Sequence, residues 1–171
     1  MKIILLGYMG SGKSTIGYSL SKSLNMPCID LDEYIEDKEN KTIKMIFSEQ
    51  GEIYFRKKER FYLEELINKK DSFILALGGG TPCYYDNMDL INNSPLTISI
   101  YLKTDIDTLV IRLSNEKSKR PIIAGFTSDE LLKEFIAKHI FERSYFYTKA
   151  QHIVNNVTLE KSIKQIENLL K

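Results

Sequence analysis

The sequence predicts an α/β fold, a five-stranded parallel sheet flanked by helices. Five short apolar segments alternate with longer segments of helical character, which is the pattern of parallel strands joined by helical crossovers. The first apolar segment, Lys2–Leu6, is continuous rather than alternating. Such a run is expected of a strand that is buried on both faces. The 171 residues are enough for one domain.

The elements follow one another in a regular order. After the first strand, a helix is predicted from Lys13 to a point before Pro27, because proline disfavours helical geometry in the preceding residue. The other predicted elements are strands at Cys28–Leu31, Ser72–Leu77, Leu96–Leu102 and His152–Val154, and a closing helix at Leu159–Leu170.

Two segments interrupt the alternation and are predicted to be insertions on one sheet, not separate domains. Residues 32–66 are helical and strongly charged and contain no strand, whereas residues 114–128 are polar and basic, with Pro121 and Gly125. Two insertions on a small sheet are typical of a kinase for small molecules. We therefore expect one insertion to bind the acceptor and the other to form a lid.

The composition argues against several classes of partner. The net charge of +1, from 24 basic and 23 acidic residues, does not indicate nucleic acid or a membrane surface. The longest apolar run, Phe73–Leu77, is far too short to span a bilayer, and no signal peptide is evident. Cys28 and Cys83 lack partners at metal-binding spacing and are expected to be free thiols. We expect a cytoplasmic protein, and a monomer because no long apolar stripe is evident.

A glycine-rich loop follows the first strand. GYMGSGKST, Gly7–Thr15, matches the pattern G-x-x-x-x-G-K-[ST] between a buried strand and a helix. Its glycines allow successive N–H groups to surround a phosphate, and the helix adds its positive end. Lys13 supplies charge for the β- and γ-phosphates, and the Ser14 hydroxyl can ligate Mg²⁺. The predicted nucleotide-binding residues are Gly10, Ser11, Gly12, Lys13, Ser14 and Thr15.

The end of the third strand narrows the class of nucleotide-binding protein. A motor ATPase requires a strand that ends in Asp-Glu. The third strand ends instead in LGGG, Leu77–Gly80. Missing side chains at this edge of the sheet favour a ligand close to the backbone, with a tight turn as the alternative. These features favour phosphoryl transfer to a small acceptor.

Charged residues outside the loop are candidates for the acceptor site. Asp30 and Asp32 lie at the end of the second strand, where alternation places both on one side. One carboxylate can support Mg²⁺ through water and the other can receive the acceptor's hydroxyl proton, although Asp32 can also be a helix N-cap. Arg56 and Arg143 have aromatic neighbours on predicted helices. A guanidinium can grip a carboxylate with two hydrogen bonds, but a solvated basic face is the alternative for Arg56.

Taken together, these motifs resemble those of the shikimate kinase family over nearly the whole chain. The resemblance implies the P-loop NTPase fold of the nucleoside monophosphate kinase kind. It also implies transfer of the γ-phosphoryl group of ATP to the 3-hydroxyl of shikimate, in aromatic amino acid biosynthesis, with ATP as co-substrate and Mg²⁺ as cofactor. The matching motifs are GxxGxGKST at Gly7–Thr15, DLD at Asp30–Asp32, GExxFRxxE at Gly51–Glu59, LGGG at Leu77–Gly80, RP at Arg120–Pro121 and the arginine at Arg143–Tyr145.

On the donor side, the resemblance implies five roles. Lys13 and Arg120 would be catalytic, with Arg120 as the lid arginine that reaches the phosphates. Arg112 would lie near the adenine. Ser14 would ligate Mg²⁺ directly, and Asp30 would support it through water.

On the acceptor side, the resemblance implies roles for five further residues. Asp32 would contact the acceptor hydroxyls and would be the candidate catalytic base. Arg56 and Arg143 would hold the carboxylate of shikimate, together with the backbone around Gly79 and Gly80. The residues alone leave open whether Asp32 accepts a proton or only orients the hydroxyl.

The sequence departs from the family's pattern in two places. Many relatives carry a basic residue after the last strand that packs on the adenine, whereas residues 154–158 read VNNVT here. In the lid, Lys117 and Lys119 add charge beside Arg120 and are expected to be solvated. Two rivals remain: a kinase for gluconate or a nucleoside monophosphate, and a non-catalytic relative that binds ATP or a partner.

Overall fold

The computed structural model describes residues 1–116 and 121–171. Five strands within these residues form one sheet with every pairing parallel, which confirms the predicted fold class. The strands are β1 (Lys2–Leu6), β2 (Cys28–Asp30), β3 (Phe73–Ala76), β4 (Thr97–Lys103) and β5 (His152–Asn155), in the order β2-β3-β1-β4-β5.

Helices connect the strands and cover both faces of the sheet. They are α1 (Lys13–Leu24), α2 (Leu31–Glu39), α3 (Ile43–Ile67), α4 (Asn87–Asn93), α5 (Ile106–Ser114), α6 (Asp129–Tyr147) and α7 (Leu159–Leu169), with short 3-10 turns at Thr81–Cys83 and Pro121–Ile123. The predicted helical insertion before β3 corresponds to α2 and α3. No helix in the described parts of the chain combines the length and apolar character needed to cross a bilayer.

The second strand is shorter than the sequence predicts. Leu31 was expected in the strand but is the first residue of α2. The reason is a cap: the side chain of Asp30 accepts a hydrogen bond from the N–H of Asp32 and so starts the helix. The predicted alternation of Asp30 and Asp32 along a strand is therefore wrong, as is the alternative that Asp32 is the cap.

The core has two layers, one on each face of the sheet. Successive residues of β1 point to opposite faces, so Ile3 and Leu5 pack with α1 and α7, whereas Ile4 and Leu6 pack with the other helices. All four side chains are fully buried. The central strand is thus covered on both sides, as its continuous apolar sequence predicts, and its carboxyl end holds the phosphate loop.

The helix starts differ in a way that bears on the site. Asp30, Thr42, Asp105, Ser128 and Thr158 cap α2, α3, α5, α6 and α7 with their side chains. Neither α1, whose N-cap residue is Gly12, nor α4 has a side-chain cap, and of the two only α1 follows the phosphate loop. An uncapped helix start leaves N–H groups available to an anion.

Candidate active site

Two glycines with positive φ angles shape the phosphate loop between β1 and α1. Gly10 has φ +76° and Gly12 has φ +85°, conformations that residues with a side chain rarely adopt. Lys13 folds back over the loop, and its Nζ donates to the carbonyl oxygens of Gly7 at 3.0 Å and Tyr8 at 2.9 Å. These bonds place its ammonium group against the loop.

Side chains from outside the loop hold two of its carbonyl groups. Arg112, on α5, donates from Nη1 to the carbonyl oxygen of Gly10 at 3.0 Å. Asn156, which follows β5, donates from Nδ2 to the carbonyl oxygen of Ser11. Arg112 was predicted at the nucleotide site, but Asn156 was not, because sequence reasoning noted only the missing basic residue there.

A cavity of about 630 Å³ lies beside the loop at the carboxyl edge of the sheet. This volume is in the range of small-molecule sites. Its lining brings together residues of the loop, the start of α2, the turn after β3, α5 and the segment after β5, among them Ser14, Asp32, Gly79, Arg112 and Asn156. Arg56, Gly80 and Arg143 do not line this cavity.

Ser14 and Asp30 meet at the start of α1. The Ser14 hydroxyl donates to Oδ2 of Asp30 at 2.7 Å, while Oδ1 of Asp30 accepts from the N–H of Asp32 at 3.0 Å. The cap of α2 thus also fixes the carboxylate beside the loop serine. Both residues line the cavity, next to Lys13.

Asp32 lies between the phosphate loop and the charged residues of α3. Burial raises the pKa of Asp32 to about 6, and the carboxylates of Asp30 and Glu59 act in the same direction. The positive charges of Lys13 and Arg56 act against this rise. The carboxylate is consequently ionised at neutral pH, yet it is a better proton acceptor than an ordinary aspartate.

Arg56, on α3, is held by three side chains. Its Nη1 donates to Glu59 at 2.9 Å, its Nε faces Glu52 at 3.4 Å, and its guanidinium carbon lies 3.9 Å from the ring centroid of Tyr84. The side chain of Arg56 is only 13% exposed, so it does not belong to a solvated basic face. Glu59 itself is buried and also accepts from the hydroxyl of Thr81 at 2.7 Å.

Arg143, on α6, reaches the turn after β3. Its Nη1 donates to the carbonyl oxygen of Gly79 at 3.2 Å, and the same oxygen accepts from the hydroxyl of Tyr147 at 2.6 Å. Burial raises the pKa of Glu59, whereas the charges of Arg56 and Arg143 both oppose the rise. The two guanidinium groups, 87 positions apart in sequence, therefore lie near one carboxylate.

The glycines after β3 make room for side chains of the protein itself. A Cβ at Gly80 would lie 2.8 Å from Nη2 of Arg56, and a Cβ at Gly78 would lie 2.9 Å from Oδ1 of Asp32. The sequence predicted that a ligand approaches the backbone here. In the structure, the charged groups of Asp32 and Arg56 lie against this backbone.

Several residues that shape the site were not identified from the sequence. Glu59 and Tyr84 hold Arg56, Tyr147 holds the Gly79 carbonyl, and Asn156 holds the loop. Glu59 belongs to the FRxxE motif, so its spacing of three residues from Arg56 on a helix was a usable signal. The other contacts join distant parts of the chain and have no local signature.

The predicted lid residues Lys117, Lys119 and Arg120 lie outside the described residues. The end of the predicted lid is described. The ring of Phe126 in this segment lies with its centroid 4.9 Å from that of Phe135 on α6. Both cysteines, Cys28 and Cys83, are free thiols, as the sequence predicts.

A parallel sheet whose central strand ends in a phosphate loop, with anchored charges beyond it, defines a P-loop kinase, an enzyme that transfers phosphoryl from ATP. The family model described as shikimate kinase matches residues 9–171. The chain belongs to the shikimate kinase family.

Relatives and solved structures agree with this membership. The chain is 50% identical to the shikimate kinase of Flavobacterium johnsoniae, over 99% of this chain and 98% of the relative. A crystal structure of the shikimate kinase from Bacteroides thetaiotaomicron superposes with a TM-score of 0.90 at 39% identity, covering 99% of this chain and 98% of that one.

Two further structures extend the comparison. The shikimate kinase from Acinetobacter baumannii, in complex with shikimate, has a TM-score of 0.86 at 28% identity, covering 99% of this chain and 92% of that one. A deoxyadenosine kinase from M. mycoides with bound dATP has a TM-score of 0.61 at 23% identity, covering 99% of each chain. The last likeness is one of fold alone.

Proposed function

We propose that this chain transfers the γ-phosphoryl group of ATP to the 3-hydroxyl of shikimate, in the biosynthesis of aromatic amino acids. The observation that carries the proposal is the turn after β3, which contacts the phosphate loop and all three charged side chains. A Cβ at Gly79 would meet the N–H of Met9 in the loop, and one at Gly78 or Gly80 would meet Asp32 or Arg56, while the Gly79 carbonyl accepts from Arg143. An acceptor that carries both a hydroxyl and a carboxylate matches these groups.

On the donor side, main-chain groups and Lys13 bind the phosphates of ATP. The start of α1 has no side-chain cap, so its N–H groups and helix dipole suit the β-phosphate. Lys13 lies against the loop and neutralises charge on the β- and γ-phosphates. Arg112, which braces Gly10 and lines the cavity, lies near the adenine. Arg120 of the lid remains a predicted catalytic residue.

Mg²⁺ is the proposed cofactor, and Ser14 and Asp30 would hold it. Their oxygen atoms already lie 2.7 Å apart beside the loop. Mg²⁺ usually keeps several waters and is bound through one or two protein oxygens together with phosphate oxygens. When bound, the ion neutralises charge that develops on the transferred group.

On the acceptor side, Asp32 and the two arginines position shikimate. Arg56 and Arg143 bind its carboxylate, and the backbone at Gly79 and Gly80 lies between them. Asp32 accepts the proton of the 3-hydroxyl, whose oxygen forms the new bond to the γ-phosphorus while the bond from that phosphorus to the ADP oxygen breaks. Its pKa of about 6 keeps Asp32 ionised, and thus ready for the proton, at neutral pH.

Phosphoryl transfer depends more on positioning and exclusion of water than on a strong base. We propose that residues 32–66 bind the acceptor and residues 114–128 close over the donor as a lid, both on a single domain of residues 1–171. A closed lid would prevent water from taking the phosphoryl group.

We further propose a monomeric, cytoplasmic enzyme that binds no nucleic acid. The near-neutral charge of +1 supports the absence of nucleic-acid binding, because such binding depends on an excess of basic residues. Light scattering coupled to gel filtration measures the oligomeric state, and a dimer mass would contradict the proposal.

The decisive experiment is a coupled ADP-release assay across shikimate, quinate, gluconate and nucleoside monophosphates. We expect shikimate to have the highest kcat/KM. Shikimate methyl ester is the matched control, since it keeps the 3-hydroxyl but lacks the charge that Arg56 and Arg143 bind, and its KM should be far higher. A higher kcat/KM for gluconate or a nucleotide would support a rival acceptor, and no turnover with any acceptor would support a non-catalytic role.

A further inference from the structure

We propose that Asn156 is a positioning residue for the phosphate loop: by holding the carbonyl of Ser11, it directs the N–H of Gly12 towards the phosphates of the nucleotide. The inference rests on the proposed binding of ATP at this loop. Asn156 lies directly after β5, where sequence reasoning found no basic residue and assigned no role.

All polar groups of the Asn156 side chain have partners. Nδ2 donates to the carbonyl oxygen of Ser11 and to Oγ1 of Thr104, the latter at 3.0 Å, and Oδ1 accepts from the Ser162 hydroxyl at 2.8 Å. Its backbone N–H donates to the carbonyl oxygen of Lys103 at 2.8 Å. The side chain is thus tied to the residue that follows β4, to α7 and to the loop.

These contacts allow one orientation of the side-chain amide. The hydroxyl groups of Thr104 and Ser162 can each donate or accept, so they are compatible with either end of the amide. The Ser11 carbonyl can only accept, so it requires the Nδ2 end. Asn156 is 4% exposed, and a buried carbonyl oxygen facing another oxygen is costly. The asparagine therefore has a defined donor direction.

Holding the Ser11 carbonyl also sets the direction of the next N–H. A peptide unit is planar, and in the trans form its C=O and N–H point in opposite directions. No peptide bond of the described residues is cis. Fixing the carbonyl of Ser11 on the Asn156 side therefore turns the N–H of Gly12 to the other side of the loop, at the uncapped start of α1. A bound phosphate needs N–H groups there.

A different role is conceivable for Asn156, because it also lines the cavity and could contact the base. The two roles differ in which part of the nucleotide they affect. A residue that positions the loop affects every ligand with phosphates, including one without a base. A base contact affects only ligands that contain the base.

The test compares Asn156→Ala with Asn155→Ala, the same change at the exposed asparagine one position earlier. Calorimetry measures the Kd for ADP and for inorganic tripolyphosphate, which has neither base nor sugar, and steady-state kinetics measures the KM for shikimate. For Asn156→Ala we expect both Kd values to rise by about tenfold, the equivalent of one buried hydrogen bond. The KM for shikimate and all values for Asn155→Ala should match the wild type.

Three outcomes would overturn the inference. Wild-type Kd values in a folded Asn156→Ala chain would show that the loop does not depend on this residue. A loss confined to ADP would assign Asn156 to the base. An equal loss of shikimate affinity would indicate a general structural role. If the alanine variant does not fold, Asn156→Leu, which keeps the size of the side chain but has no donor, is measured in the same way and judged by the same outcomes. A wild-type chain that does not bind ADP would contradict the proposed function on which this inference rests.

Discussion

The proposed donor half and the proposed acceptor half of the site are built by opposite means. The donor half is a stretch of backbone, Gly7–Thr15, whose carbonyl groups are held from outside by Arg112 and Asn156. The acceptor half consists of charged side chains, Arg56 and Arg143, that are held by other side chains and by a turn without side chains of its own. Recognition by backbone is contiguous in sequence, whereas recognition by side chains depends on the packing of distant elements.

The two halves meet at Asp32, so its substitution should have the largest effect. Asp32→Asn keeps the shape of the side chain but removes the proton acceptor, and we expect kcat to fall by about 100- to 10,000-fold. Asp37→Asn, at an exposed position of the same helix, is the control and should be silent. A kcat near the wild-type value in a folded Asp32→Asn enzyme would mean that Asp32 does not accept the proton.

On the donor side, Lys13→Met tests the one charged side chain of the loop. The methionine keeps most of the apolar stem and removes the ammonium group, so we expect kcat/KM to fall by about 100- to 1,000-fold. The affinity for shikimate alone, measured by calorimetry, should not change. Lys22→Met, at an exposed position of the same helix, should retain full activity. Loss of shikimate binding in Lys13→Met would contradict the separation of the two halves.

On the acceptor side, Arg56→Lys keeps the charge but loses the planar pair of donors. We expect the KM for shikimate to rise by about 10- to 100-fold, the equivalent of one hydrogen bond to a charged group, with the KM for ATP unchanged. Arg60→Lys, on the same helix, is the matched control, since Arg60 pairs with Asp86 at 2.9 Å instead of facing the site. An equal rise in the KM for shikimate and the KM for ATP would contradict the assignment of Arg56 to the acceptor half.

The activity should also depend on pH through Asp32. Its pKa is raised to about 6, so the ionised fraction is nearly complete at pH 8 and declines as the pH falls through this value. At saturating ATP, kcat/KM for shikimate should therefore fall by about tenfold for each pH unit well below 6. The residual activity of Asp32→Asn should lack this pH dependence. If the activity of the variant still falls at low pH in the same way, a group other than Asp32 causes the fall.

The smallest effect is expected at the turn between the two halves. Gly80→Ala places a Cβ 2.8 Å from Nη2 of Arg56 and so displaces the guanidinium. An off-rotamer arginine should raise the KM for shikimate by about fivefold. Gly125→Ala adds the same methyl group where no atom of the described residues lies within 4 Å, outside the acceptor half, and should leave the KM for shikimate unchanged. A change confined to the KM for ATP would contradict the placement of Gly80 on the acceptor side.

The fold and the donor loop were predictable because their determinants are local. The continuous apolar run of β1 and the pattern from Gly7 to Thr15 each occupy a single stretch of sequence, and the structure has the strand where the pattern predicts it. The start of α2 was wrong by one residue at Leu31, because strand alternation took no account of the cap by Asp30. Competition between a strand end and a helix cap has no strong local signal.

The acceptor half stays a prediction, and it rests on the resemblance to a family. Local sequence could not decide whether Arg56 was solvated or buried, because the answer depends on Glu59 and on Tyr84, which lies 28 positions later. Asn156 was missed for the same reason, since its partner Ser11 lies 145 positions away. Contacts across such distances follow from the completed sheet, which brings the ends of its strands together.

The break in α3 at Gly51 limits how this enzyme can change over evolutionary time. Gly51 has φ +80° and ψ 173°, and a Cβ added there would meet no atom within 4 Å. The constraint at this position is therefore one of handedness, not of size. Any L-residue would favour a continuous helix, which would straighten the bend that brings the ring of Phe47 to 4.7 Å from that of Phe55, next to Arg56. Even the smallest substitution would thus alter the direction of α3 next to Arg56, at a position where the added methyl group itself would meet none of the described atoms.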